Sequence, residues 1–186
     1  TELARTDFAD DWYRWCDANR AWSAEASGGY ETDSLASDVG GYAPLAVGEF
    51  LDAFRAAGAT ARNGSTFPRG RHRSFTVDMV SDSGTRCSLA VQLGRGLNAL
   101  ECRLTVFDGE SAAGDAELLH SVARDIRLAS GRDVPDPASP YPRPIIGSRS
   151  QLEVVSRELV GVLARVAHGW GRSGSEGSPR TVGYAG

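Results

Sequence analysis

There is no lysine in this chain; all 20 of its basic side chains are arginine. That absence removes whole enzyme classes. Without lysine no Schiff base forms to pyridoxal phosphate or to a carbonyl substrate, and no phosphate-loop lysine exists. Isoleucine and asparagine are scarce while alanine and glycine abound, so the missing lysine also reads simply as the mark of a GC-rich, bacterial genome. Cysteine is rare too. Three in 186 residues, an odd number, do not make a disulfide framework. No apolar run reaches the ~18 residues that a membrane span needs. The opening stretch TELARTDFADDW lacks the basic start and apolar block of a secretion signal; a leader already removed would leave the same opening. HExxH, CxxC, a Walker loop and GxSxG are all missing, which argues against a metal site, a cofactor or a standard hydrolase. The reading is a cytoplasmic protein with reduced thiols.

What is present describes a soluble domain. An apolar fraction of 41% and a charged fraction of 24% are ordinary for one. The length fits one α+β domain over residues 1–170 and a flexible tail over 171–186. Charge is spread unevenly. Residues 1–60 hold eleven acids against four arginines, residues 61–100 six arginines against Asp78 and Asp82, and residues 101–186 eleven acids against ten arginines.

The stretch DFADDWYRWCDANRAW predicts an amphipathic helix, with Phe8, Trp12, Trp15, Asn19 and Trp22 on one stripe. Such a stripe is core or, alternatively, a stacking surface. PLAVGEFLDAFRAAG predicts a second helix that buries Val47, Phe50, Leu51 and Phe54 and stops at Gly58. SFTVDMV, TRCSLAVQL and LNALECRLTVF each alternate, which predicts an antiparallel meander, with a fourth strand possible at GATAR. Cys87 and Cys102 then share one face of adjacent strands, near each other among leucines and valines. A helix over about 115–129 turns Leu118, Leu119, Val122 and Ile126 inward and leaves His120 on its polar side near Arg124. A proline-rich arm, VPDPASPYPRP, precedes a last helix over about 149–169. The fold class is α+β: a three- to four-stranded antiparallel meander packed on one face by helices. This order resembles the layout of small bacterial secretion-chaperone-like folds, an arrangement that implies no function.

The candidate site lies in RGRHRSFTVDMV. If residues 69–79 run extended, Arg69, Arg71 and Arg73 fall on the side of Phe75, Val77 and Met79. The buried face then ends in a row of guanidinium groups suited to an anionic or carboxylate-bearing ligand. Equally, the three arginines have acceptors in the acidic first helix. His72, among them, is the candidate catalytic base, because positive neighbours favour its neutral form. A second ligand-binding candidate is PRPIIGSRSQLEVV, where Arg143, Arg149 and Ser148 flank a helix start. Its serines also read as a capping box. GRGLNA fits a dinucleotide fingerprint in letters only, since it opens a strand. A sequence pI of about 5.4 argues against nucleic acid as a partner.

The leading functional reading is a non-catalytic cytoplasmic domain, adaptor-, chaperone- or immunity-like, that binds a protein or peptide partner. The alternative is a small enzyme or ligand-sequestering protein of specialised metabolism, with an arginine-rimmed pocket for a small anionic ligand.

Overall fold

Alternation along three strands decides which face of the sheet is buried. The computed structural model describes residues 2–18, 45–64, 73–94, 98–132 and 143–173, with backbone alone at residue 2 and at 171–173. Strands β1 (Thr60–Asn63), β2 (Arg73–Val80), β3 (Arg86–Leu93) and β4 (Leu100–Asp108) follow one another in an antiparallel meander. Two short pieces, β5 (Ser111–Ala112) and β6 (Glu117–Leu118), pair along the far edge of β4. The α+β meander expected from the sequence is therefore present, including the fourth strand at GATAR.

The register stacks apolar side chains in rows. Phe75 faces Val91, which faces Cys102; Val77 faces Leu89, which faces Leu104; Met79 faces Cys87, which faces Val106. Adjacent pairs of this kind are the unit of sheet stability. The same register corrects one expectation. Cys87 and Cys102 do share the buried face, but they lie four positions apart along the ladder, which is about 13 Å at strand rise.

Helices cover that face. In α1 (Phe8–Asp17), Phe8, Trp12 and Trp15 come at steps of four and three, and all three are buried. Their rings meet at 5.7 and 6.1 Å between centroids, so the described tryptophans of the stripe are core. Asn19 and Trp22 lie outside the described residues. In α2 (Val47–Ala56), Phe50 and Phe54 both pack on Phe75 of β2, at 5.9 and 5.7 Å. Gly58 ends α2 at φ +99°, where it donates to Arg55 O while Ala59 donates to Phe54 O, the paired bonds of a Schellman stop. The long α4 (Arg149–Ser173) buries Leu152, Val155, Leu159, Val162 and Val166 at helical spacing. It is tied to α1 where Trp15 Nε1 donates to Glu158 Oε2 at 2.6 Å.

Helix α3 (Leu119–Ala129) starts later than its sequence pattern predicts. Glu117 and Leu118 pair instead with Leu104 and Arg103, because the open edge of β4 supplies their backbone partners. His120 is a second correction. It sits in the first turn of α3 at 4% exposure, not on the polar face. No helix among the described residues is long and apolar enough to cross a membrane. Residues 174–186 and the arm over 133–142 lie outside the described residues.

Candidate functional site

Arg73 opens β2 on the buried side, as strand parity requires, and its guanidinium turns onto the chain itself. Nη1 donates to Leu45 O at 2.6 Å, just before α2, and Nη2 donates to Asn98 Oδ1 at 2.9 Å. Asn98, fully buried, donates through Nδ2 to Ile146 O at 3.0 Å. Backbone bonds run beside it: Leu100 N donates to Pro144 O and Ile146 N to Asn98 O, so residues 144–146 lie along the entry to β4. Charge-assisted bonds of this kind are worth more than neutral ones, and a group left unmade at such a site is costly.

The second sequence candidate joins the same network. Arg149 Nη2 donates to Glu49 Oε1 at 2.9 Å, and Glu49 Oε2 accepts the Ala46 N–H at 2.9 Å, capping α2. The Ala46 N–H above all, with Arg149 adding to it, holds the Glu49 carboxyl below the ordinary carboxylate range. Ser148 Oγ accepts the Gln151 N–H at 3.2 Å, while Gln151 Oε1 accepts the Gly147 N–H at 2.9 Å. These are the reciprocal bonds of a capped helix start. Arg143 pairs with Glu101 at 3.1 Å.

The structure thus brings Arg73, Arg149 and Ser148 to one end of the molecule, where α2, β2, the approach to β4 and α4 all begin. There their polar groups join those elements to one another. Arg69, Arg71 and His72 lie outside the described residues. Two acids of α1 have arginine partners among the described residues: Asp11 with Arg14, and Asp10 with Arg132. On the opposite face of the sheet, buried Asp78 takes Arg62 at 2.9 Å and Arg86 at 3.6 Å, so part of the basic middle is neutralised within its own strands.

The three cysteines and His120 are enclosed. Burial pushes the Cys87 thiol up to about 12, and it raises Cys16 and Cys102 still further, with Asp17 and Glu101 adding to the effect. All three are protonated at neutral pH, which removes the thiolate that nucleophilic chemistry needs. Burial, then Arg143, lowers the His120 pKa and keeps its imidazole neutral, with Glu101 opposing. Among the described residues no group of three or more His, Cys, Asp or Glu is placed to hold a metal ion.

A different feature stands open. Between the N-terminal turn, α1 and α3 runs a groove of about 500 Å³. Its floor is small and apolar: Ala4, Ala9, Val122, Ile126 and Ala129. Asp7, Asp10, Glu117 and Asp125 set four carboxylates along it, against the single arginine Arg132. Arg132 Nη1 donates to both carboxylate oxygens of Asp10. Gly131, at φ +69°, turns the chain out of α3, with Gly131 N donating to Leu128 O and Arg132 N to Arg127 O, and this stop places Arg132 at the groove. Sequence reading singled out the acidic N-terminal segment but not this groove, whose two walls are more than 100 residues apart in the chain. Comparison of the chain with protein-family models, with curated proteins and with solved structures finds no match in any of the three.

Proposed function

We propose that this chain is a non-catalytic binding protein, an adaptor or chaperone in kind, which holds a peptide segment of a partner protein in the groove between α1 and α3. One observation carries the reading: a groove of about 500 Å³ combines an apolar floor with a rim of carboxylates. An apolar floor supplies affinity through the area it removes from water, and a charged rim selects and orients the partner. Residence in the cytoplasm belongs to the same proposal, supported by three cysteines that are all unpaired. The rival reading is an enzyme or ligand-sequestering site at the arginine end, where Arg69, Arg71 and His72 lie outside the described residues. There Arg73, Arg143 and Arg149 each already engage an acceptor of the chain.

The test is selection of peptides from a random display library on the wild-type protein and on Ala129→Trp. Ala129 is exposed at the groove, so an indole there fills the space without entering the core. The proposal expects a consensus enriched on the wild type and lost on the variant. No enrichment, or enrichment indifferent to Ala129→Trp, contradicts it.

A further inference from the structure

We infer, resting on the peptide-binding reading of the groove, that the partner segment is basic, and that Arg132 occupies its place until an arginine of the partner displaces it from Asp10. The groove already shows which chemistry it accepts. A guanidinium of the chain itself is seated there, with one Nη1 shared between the two oxygens of the Asp10 carboxylate. Three further carboxylates, Asp7, Glu117 and Asp125, line the same space and are exposed. Arg132 meets Asp10 and Arg124 lies 3.6 Å from Asp125, so the four acids of the groove still exceed the arginines that meet them by two, an excess of negative charge for an incoming cation.

The seated pair is weakly held. The side chains of Arg132 and Asp10 are 50% and 46% exposed, and pairs in such surroundings contribute little to stability. Exchanging one exposed guanidinium for another is close to neutral in energy. The electrostatics therefore select and orient the partner, while affinity comes from covering Val122, Ile126 and the alanines beside them. Arginine suits this exchange better than a point charge does, because its planar fork matches a carboxylate through two parallel bonds.

Two acidic segments of the chain itself fit less well. The segment that directly follows Arg132, residues 133–142, carries Asp133 and Asp136 and no arginine, so its charge opposes the groove. The segment 19–44 carries four acids against Arg20, and it is opposed in the same way.

The test uses fluorescence anisotropy with the labelled peptide acetyl-LRALRA-amide on the full chain at low salt, with its citrulline counterpart as the isosteric uncharged control. The inference expects the arginine peptide to bind and the citrulline peptide to bind more weakly. Arg132→Gln should tighten the arginine peptide about two- to fivefold, the range set by losing one exposed ion pair. Asp10→Asn should weaken it, and in the Asp10→Asn background Arg132→Gln should change nothing, which shows that the two act as a pair. Asp125→Asn, at an exposed position, gives a second reading of the carboxylate rim. Equal binding of the two peptides overturns the basic-partner inference and leaves the groove standing. Equal binding by wild type and Arg132→Gln overturns the displacement. No binding of either peptide by either protein, or dimers that Ala129→Trp disperses in sedimentation, sinks the peptide-groove reading itself.

Discussion

The two ends of this molecule treat charge in opposite ways. At the arginine end, Arg73 and Arg149 reach acceptors on neighbouring elements, and Asn98 and Glu49 relay those contacts onward. At the groove end, Asp7 and Glu117 stand exposed, Arg132 meets Asp10, and Arg124 lies 3.6 Å from an equally exposed Asp125. Arg73 and Arg149, two described members of the arginine-rich candidates, are thus committed to holding α2, β2 and α4 together. The part with exposed charge reads as unremarkable letters. Density of charge along a chain is a poor guide to a site; what decides is whether the surrounding fold already supplies the partners.

This contrast is open to direct attack, beginning where the effect is largest. Asn98→Ala removes the acceptor of Arg73 and the donor to Ile146 O together, inside a fully buried position. The loss should be about 3 kcal/mol, read as a shift in urea midpoint, because each orphaned polar group costs about 1–3 kcal/mol. A change under about 0.5 kcal/mol would mean that the network does not hold this end.

Protonation probes the edge of β4 next to the arginine end. The His120 pKa lies below its unfolded value, so its stabilising share is fully present above the unfolded pKa of about 6.5. That share is lost as pH falls from about 6.5 toward the lower folded value. Stability measured from pH 7 to 5 should therefore fall with a slope of at most ~1.4 kcal/mol per pH unit from this group. His120→Gln should flatten that slope; an unchanged slope would assign the dependence to other groups.

Tyr13 is buried against Arg127 of α3, whose guanidinium carbon lies 4.5 Å from the centre of its ring, yet its hydroxyl has no hydrogen-bond partner among the described residues. Tyr13→Phe should leave stability unchanged or raise it by up to about 1 kcal/mol, since it deletes an unmet donor. A clear loss in thermal midpoint would reveal a partner for that hydroxyl. The smallest effect on stability belongs to the rim itself. Asp7→Asn and Asp125→Asn should each stay within about 0.5 kcal/mol of wild type, as exposed substitutions do, while weakening peptide binding.

Much of the fold is legible in the letters because its signals are local. Alternation through Phe75, Val77 and Met79 and the helical spacing of Leu152, Val155 and Leu159 need no knowledge of the rest of the chain. Ser148 and Gln151 likewise form their cap within four residues. What the letters do not carry depends on distant pairing. Glu117 and Leu118 leave the helical pattern because β4 offers an edge. His120 is buried although its place in the helical pattern puts it on the polar face. Cys87 and Cys102 are separated by the hairpin register, which no composition signal encodes. The groove is the furthest case. Ala4, Ala9, Val122 and Ile126 look like ordinary core letters until the N-terminal turn and α3 meet around an unfilled space.

The most direct test of the contrast is a backbone amide NMR titration of the protein with the LRALRA peptide, read residue by residue. The account predicts that shifts concentrate on residues 4–10 and 122–132, at the walls of the groove, and leave Arg73, Asn98 and Arg149 unmoved. Shifts gathered instead around Arg73, Arg143 and Arg149 would contradict it and return the site to the arginine end of the sheet.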